Sequence, residues 1–194
     1  MANKVSLCDV GAQFRDLEPE ITGAVHRVLS SGRYILGDEV EAFENEVAQS
    51  LGVCHAVGVA SGTDALLLSL LAMGVGPGDE VVTTPYTFVA TAAAIVRAGA
   101  TPVFVDVEPA TLNMDPDRAV AAIGPRTRAI LPVDLFGHPA DMLALRELAD
   151  RHGLWLLEDA CQAFGARTGQ DNVGALADAA CFSFFPSKNL GAAG

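Results

Sequence analysis

From His55 onward, short apolar runs alternate with stretches whose apolar residues recur every three to four positions. The runs are Ala56 to Ala60, Glu80 to Thr84, Thr101 to Asp106, Arg128 to Val133, Leu154 to Leu157 and Ala179 to Phe184. Each has the length of a strand, and residues 63–73, 88–98, 115–123 and 139–152 between them have helical spacing. Six strands alternating with helices predict an α/β domain with a mostly parallel sheet and helices on both faces. Ligands of such sheets sit beyond the carboxyl ends of the strands, so chemistry is to be sought there. The chain before His55 reads differently. Leu17, Ile21, Val25 and Val28 share a helical face that ends near Ser30-Ser31-Gly32, and Glu39 to Leu51 forms a second helical pattern stopped by Gly52. Both are expected to be packing elements. The pattern therefore separates a helical segment, residues 1–54, from an α/β domain over residues 55–194.

Composition narrows the function classes. With 51% hydrophobic residues in 194, the chain has the material for a sizeable core. Twelve Lys and Arg against 24 Asp and Glu give a formal net charge of −12. No basic cluster interrupts that excess, which argues against nucleic acid as a partner. Cys8, Cys54, Cys161 and Cys181 lack Cys-x-x-Cys spacing and read as free thiols, neither a disulfide frame nor a zinc site. No metal is expected. Met1-Ala2-Asn3-Lys4-Val5 lacks the apolar core of a signal peptide, and no run approaches the roughly 18 apolar residues of a membrane span. The expected location is the cytoplasm.

The strand ends carry the candidate chemistry. After the first run, Ser61-Gly62-Thr63-Asp64 opens an apolar helix. Ser61 and Asp64 fit a capping box, which needs no ligand. Gly62 also permits close approach to the amides of a helix N-terminus, where phosphate is electrostatically welcome. After the second run, Phe88 is either core or the flat wall of a planar ligand's pocket. The fifth run ends in Glu158-Asp159-Ala160-Cys161-Gln162. Two carboxylates directly after an apolar strand suggest that one meets a cation; the plainer alternative is that Asp159 caps the next turn. An ionised Asp beside a pyridine-type nitrogen keeps that nitrogen protonated. Last comes Phe182-Ser183-Phe184-Phe185-Pro186-Ser187-Lys188-Asn189-Leu190-Gly191, in which a lone lysine follows the strand and its Pro. Burial pushes such an ammonium toward the nucleophilic amine, and a solvated loop lysine is the bland alternative. An amine, a carboxylate, a phosphate-binding helix start and an aromatic wall together meet the needs of pyridoxal 5′-phosphate.

These residues carry a family resemblance. Ser61-Gly62-Thr63-Asp64-Ala65-Leu66, Gly76-Pro77-Gly78-Asp79-Glu80-Val81, Thr87-Phe88-Val89-Ala90-Thr91, Glu158-Asp159-Ala160-Cys161-Gln162-Ala163 and the Lys188 stretch resemble the DegT/DnrJ/EryC1/StrS sugar aminotransferases. The resemblance runs from Asp9 to Gly194. It implies the large domain of a fold type I enzyme that uses pyridoxal phosphate. Lys188 then resembles the lysine that binds the cofactor aldehyde and later shuttles the proton. Asp159 resembles the acid paired with the pyridine nitrogen, and Gln162 the residue hydrogen-bonded near the ring hydroxyl. Gly62, Thr63 and Ser183 resemble the phosphate-binding groups, and Phe88 the aromatic stacked on the ring. The implied reaction moves an amino group from L-glutamate onto a keto sugar attached to a nucleotide diphosphate. Some relatives that act as dehydratases carry His at the lysine position, and Lys188 argues against that branch. Tyr34-Ile35-Leu36-Gly37, Asp9 and Ala12-Gln13-Phe14 look most like members that aminate C3, with C4 left open.

The family pattern continues past this lysine into a glycine-rich segment, another strand and a small C-terminal domain. The 194 residues are therefore expected to be an N-terminal portion, truncated before the small domain, of an enzyme that works as a homodimer. A different class remains beside this one: a non-catalytic remnant, or a regulatory or binding module on the same scaffold. A dinucleotide-binding dehydrogenase domain fails for want of the glycine fingerprint after the first strand.

Overall fold

The computed structural model describes residues 8–192. Met1-Ala2-Asn3-Lys4-Val5, and Ala193 and Gly194 at the end of the Lys188 stretch, lie outside the described residues. The core is a five-stranded parallel sheet built from β1 (Glu80–Thr83), β2 (Thr101–Phe104), β3 (Thr127–Leu131), β4 (Trp155–Asp159) and β7 (Ala179–Cys181). Its order is β2-β1-β3-β4-β7. The order reverses direction at β1 and β3, so the crevice for a ligand opens at their carboxyl ends. A two-residue-per-strand antiparallel hairpin, β5 (Arg167–Thr168) and β6 (Asp171–Asn172), stands apart.

Strand alternation sends neighbouring side chains to opposite faces, and each face has its own helices. On one, Val81, Ala129, Leu131, Leu157 and Cys181 pack with Leu66 and Leu70 of α3 (Gly62–Ala72) and Ala94 and Ile95 of α4 (Ala90–Arg97). On the other, Val82, Ile130 and Leu156 pack with Ala119 of α5 (Pro116–Ala122) and Leu145 and Leu148 of α6 (Met142–His152). The α/β class with both faces covered is thus the observed architecture. Local signals set the helix ends. Asp115 and Asp141 cap α5 and α6 through their carboxylates, and α6 stops at Gly153 in a left-handed conformation.

Three expectations need correction. Ala56 to Ala60 forms no strand among the described residues. A strand requires a ladder partner, and this segment has none; the Gly58 N–H donates instead to the Glu44 carboxylate, at 2.6 Å, and Val57 and Val59 remain exposed. The run also ends early at the other edge, where β7 stops at Cys181 and does not reach Phe184. Of the two leading helices, α2 (Asp38–Leu51) packs through buried Leu51 and through Phe43, edge-on to Phe184. The other, α1 (Val10–Ser31), buries no residue at all, so its apolar stripe is not a packing face within the described chain. Among the described residues, no helix is long and apolar enough to cross a membrane.

Candidate active site

The loops leaving β1, β3, β4 and β7 surround one cavity of about 1190 Å³. Gly62, Thr63, Phe88, Asp159, Gln162, Ser183 and Lys188 all line it. Residues up to 126 apart in sequence therefore meet because parallel strands deliver every carboxyl end to the same side of the sheet.

The start of α3 forms one wall. Ser61 is its N-cap: the Ser61 hydroxyl accepts from the Asp64 N–H at 3.1 Å and donates to the Asp64 carboxylate at 2.9 Å. The expected capping box thus closes in part from side chain to side chain. The Gly62 and Thr63 amides have no protein acceptor among the described residues and are available to an anion. Gly62 is buried, and a Cβ there would lie 2.7 Å from Cys161 Sγ and 2.9 Å from Ser183 Cβ. Only a hydrogen fits between the helix start and the ends of β4 and β7.

Asp159 closes β4 and is 5% exposed. Its Oδ2 accepts from the Thr91 hydroxyl at 2.7 Å and its Oδ1 from the Cys161 N–H at 3.3 Å. Thr87 Oγ1 lies 2.7 Å from Thr91 Oγ1, so with Thr91 spending its proton on the carboxylate, Thr87 is the donor to Thr91. Neither Asp159 nor Glu158 forms an ion pair with a protein side chain among the described residues. Glu158 faces the opposite side of the sheet, toward Asp134. Both are fully buried, and burial pushes both carboxyls above the ordinary range, Glu158 the further because Asp134 repels its charge.

Gln162 Oε1 accepts from the Phe136 N–H at 2.9 Å. Its acceptor is thereby used, and the Nε2 donor end remains for a ligand. Phe136, with φ 57°, and Gly137, with φ 83°, are consecutive left-handed residues in the 3-10 turn Leu135–Gly137, and Phe136 is 78% exposed. Phe136, Gln162 and Lys188 border a second recess of about 370 Å³. Lys188 itself is half-buried, in a turn closed by Lys188 N–H to Phe185 carbonyl at 2.7 Å and Gly191 N–H to Lys188 carbonyl at 3.0 Å. Gln13 of α1 steadies that turn from outside, donating to the Leu190 carbonyl at 3.1 Å. Ser183 presents its hydroxyl between β7 and this turn, and Phe88, 63% exposed, projects at the cavity edge.

Several groups that shape the site escaped the sequence reading. Thr91 stands one helical turn after Thr87, a spacing that could have flagged it. Asp134 follows an apolar strand just as Glu158-Asp159 does, and the same argument applied to it would have found the buried pair. Gln13 was noted only within Ala12-Gln13-Phe14, and no local signal tied it to the Lys188 turn.

Comparison with known proteins adds the family context. The DegT/DnrJ/EryC1/StrS aminotransferase family matches residues 15–194. The chain is 54% identical over 190 residues to the erythromycin biosynthesis sensory transduction protein EryC1 of Saccharopolyspora erythraea, covering 98% of this chain and 52% of that protein. It is 52% identical over 191 residues to the dTDP-3-amino-3,4,6-trideoxy-alpha-D-glucose transaminase of Streptomyces venezuelae, covering 98% and 50%. Among solved structures, Streptomyces venezuelae DesV in complex with a ketimine intermediate superposes with a TM-score of 0.96 at 52% identity, over 98% of this chain and 51% of that one. The chain spans about half the length of the curated relatives it matches.

Proposed function

Because the chain belongs to the DegT/DnrJ/EryC1/StrS aminotransferase family, we propose that it is the cofactor-binding part of a pyridoxal phosphate-dependent sugar aminotransferase. The observation that carries this reading is the convergence of Lys188, Asp159 and the free amides of α3 on one cavity. The substrate is a keto sugar of a nucleotide diphosphate, C3 being the favoured carbon and C4 the other, and the amino donor is L-glutamate. A relative named as a 3-amino-sugar transaminase supports C3. The same reading divides the chain into a helical segment, 1–54, and the cofactor-binding domain, 55–194, of a cytoplasmic homodimer.

The residues present fit the cofactor. Gly62, which has no room for a side chain, and Thr63 would offer two backbone N–H donors to its phosphate, with the Ser183 hydroxyl as a third. Asp159, held by Thr91 and the Cys161 amide, would keep a proton on the facing ring nitrogen. Gln162 would donate its Nε2–H toward the ring hydroxyl, its Oε1 being occupied by Phe136. Phe88 would cover one face of the ring. When bound, pyridoxal phosphate supplies an electron-withdrawing ring that stabilises negative charge on the carbon bearing the amine. Lys188 Nζ is the nucleophile that would fix the cofactor, and once released the same amine is the base that would carry the proton away from the substrate carbon.

The test is a visible absorption spectrum of the purified chain titrated with pyridoxal phosphate, beside Lys188→Ala. A visible band that Lys188→Ala abolishes and L-glutamate bleaches is expected. A second reading, a regulatory or binding module without turnover, is favoured by the relative named as a sensory transduction protein. A Lys188-dependent band that L-glutamate leaves unchanged would support that reading, and no band at all would defeat the aminotransferase assignment for this chain.

A further inference from the structure

The carboxyls of Asp134 and Glu158 are both 0% exposed, and the chemistry just assigned uses neither of them. Their hydrogen bonding is complementary. Asp134 Oδ1 accepts from the Ala140 N–H at 2.9 Å, and Glu158 Oε2 accepts from the Gly174 N–H at 2.8 Å. The oxygens left over, Asp134 Oδ2 and Glu158 Oε1, have no donor among the described residues; the two strand ends run side by side, the Asp134 N–H donating to the Asp159 carbonyl at 3.0 Å, and the charge of Asp134 disfavours ionisation of Glu158. Two ionised carboxylates cannot face one another in a buried site without a cation. No Lys, Arg or His forms an ion pair with either one among the described residues. The other charges that act on the pair are Asp159, which repels Asp134, and His138, which attracts it from an exposed position. One proton between Oδ2 and Oε1 satisfies both orphan oxygens at once.

We propose that Asp134 and Glu158 share a single proton and thereby hold two loops of the active site in register: the turn that fixes Gln162 and the strand end that carries Asp159. The second half of this statement rests on the cofactor-binding reading above; the first does not. Asp134 is the residue before the Leu135–Gly137 turn, whose Phe136 N–H orients Gln162. Its own N–H donates to the Asp159 carbonyl at 3.0 Å, and the Asp159 N–H donates to the Pro132 carbonyl at 3.0 Å. Phe136 occupies a left-handed conformation unfavourable for a bulky residue, which persists only where surrounding contacts over-determine it. The shared proton fastens that turn at its base, and Gln162 fastens it at its tip. Asp134 and Glu158 are positioning residues, acting on the site through Gln162 and Asp159.

The pattern makes a test by paired substitution. In Glu158→Gln the amide oxygen takes the place of Oε2 and the amide nitrogen donates to Asp134, reproducing the protonated acid. In Asp134→Asn the new Nδ2 donates to an ionised Glu158. The double variant sets two amide nitrogens against each other with no acceptor between them. Each single variant is expected to keep the thermal midpoint of the cofactor-free chain near wild type at pH 7. The double variant is expected to fall below the sum of the singles by about 5 °C or more, as buried donors lose their acceptors.

Glu158 supplies a pH arm. Its affinity for the proton is raised in the folded chain, so its contribution to stability is complete below the ordinary value of 4.5 and is lost as pH rises toward about 9. The wild-type midpoint should therefore drop by several degrees relative to Glu158→Gln over that span. In chains loaded with pyridoxal phosphate, the pH midpoint of the Lys188-dependent band should stay put in either single variant and move by about one unit in the double. Additive single and double variants, parallel wild-type and Glu158→Gln midpoints across that pH span, or single variants that unfold at pH 7 would each overturn the shared proton. Because the midpoints need no cofactor, they judge the pair even if no visible band forms. A band that is unmoved in a double variant whose midpoint has fallen would overturn the positioning role alone.

Discussion

Gly62→Ala separates space from backbone conformation at the start of α3. An Ala at a helix position normally stabilises relative to Gly by about 0.4–1 kcal/mol, through the unfolded chain. Here the added Cβ would sit 2.7 Å from Cys161 Sγ and 2.9 Å from Ser183 Cβ, both closer than carbon atoms tolerate. Overpacking of this kind costs about 1–3 kcal/mol. The clash outweighs the propensity gain, leaving a net loss of roughly 0.5–2 kcal/mol and a fall in thermal midpoint of about 2–6 °C. Differential scanning calorimetry on the chain measures it directly. The geometry also names its own suppressor: Cys161→Gly removes the sulfur at 2.7 Å, so Gly62→Ala should cost less in that background than in wild type. Pyridoxal phosphate retention should follow the same order, since α3 backs away from the cavity to relieve the clash. A Gly62→Ala chain that is as stable as wild type, or a cost independent of Cys161, would refute the reasoning.

Three further outcomes follow from contacts around the site. Thr91→Val removes the 2.7 Å hydroxyl donor from the buried Asp159 carboxylate, and should cost about 1.5–3 kcal/mol in urea titrations while Thr87→Val costs less. Gln13→Ala frees the Leu190 carbonyl and should raise amide exchange at Gly191 and Lys188 while leaving β1 to β4 protected, as hydrogen-exchange mass spectrometry would show. Iodoacetamide at neutral pH should label exposed Cys8 and Cys54 well before Cys161 and Cys181, because burial pushes both of the latter thiols up, Cys181 to about 12. Early labelling of Cys161 would mean that the helix start does not cover it.

The sheet was legible because its strands are bare apolar runs bounded by helical spacing, and β1 to β4 fall within the runs so marked or at most two residues beyond them. Gly62, Phe88, Asp159 and Lys188 were marked by position, each following an apolar run or opening a helix, whereas Thr63, Gln162 and Ser183 were named only through the family resemblance; all seven line the one cavity. Ala56 to Ala60 misled because an apolar run encodes the capacity to pair, and pairing needs a neighbour that the run itself does not specify. The role of α1 misled in the same way, since Leu17, Ile21 and Val25 lie on one helical face whether or not anything covers it. Glu158 and Asp159 were noticed together, but adjacent positions on a strand point to opposite faces, so one entered the cavity and the other met Asp134. Their separate fates depended on Asp134, 24 residues earlier, and no local pattern joins the two.

The contact between Gln13 and the Lys188 turn spans 177 residues. Closing so long a loop carries an entropic cost that grows with the logarithm of its length, and a parallel sheet made only of crossovers adds further long-range pairings. The lysine turn is thus among the last parts of the molecule to acquire its final shape. Contact order has β1 to β4 and their helices assemble from nearer neighbours, with Lys188 unpositioned until both extremities of this long loop have met. A chain caught midway would hold a formed sheet and a formed helix start while the Lys188 turn was still loose, so the cavity would close last on the side of its lysine.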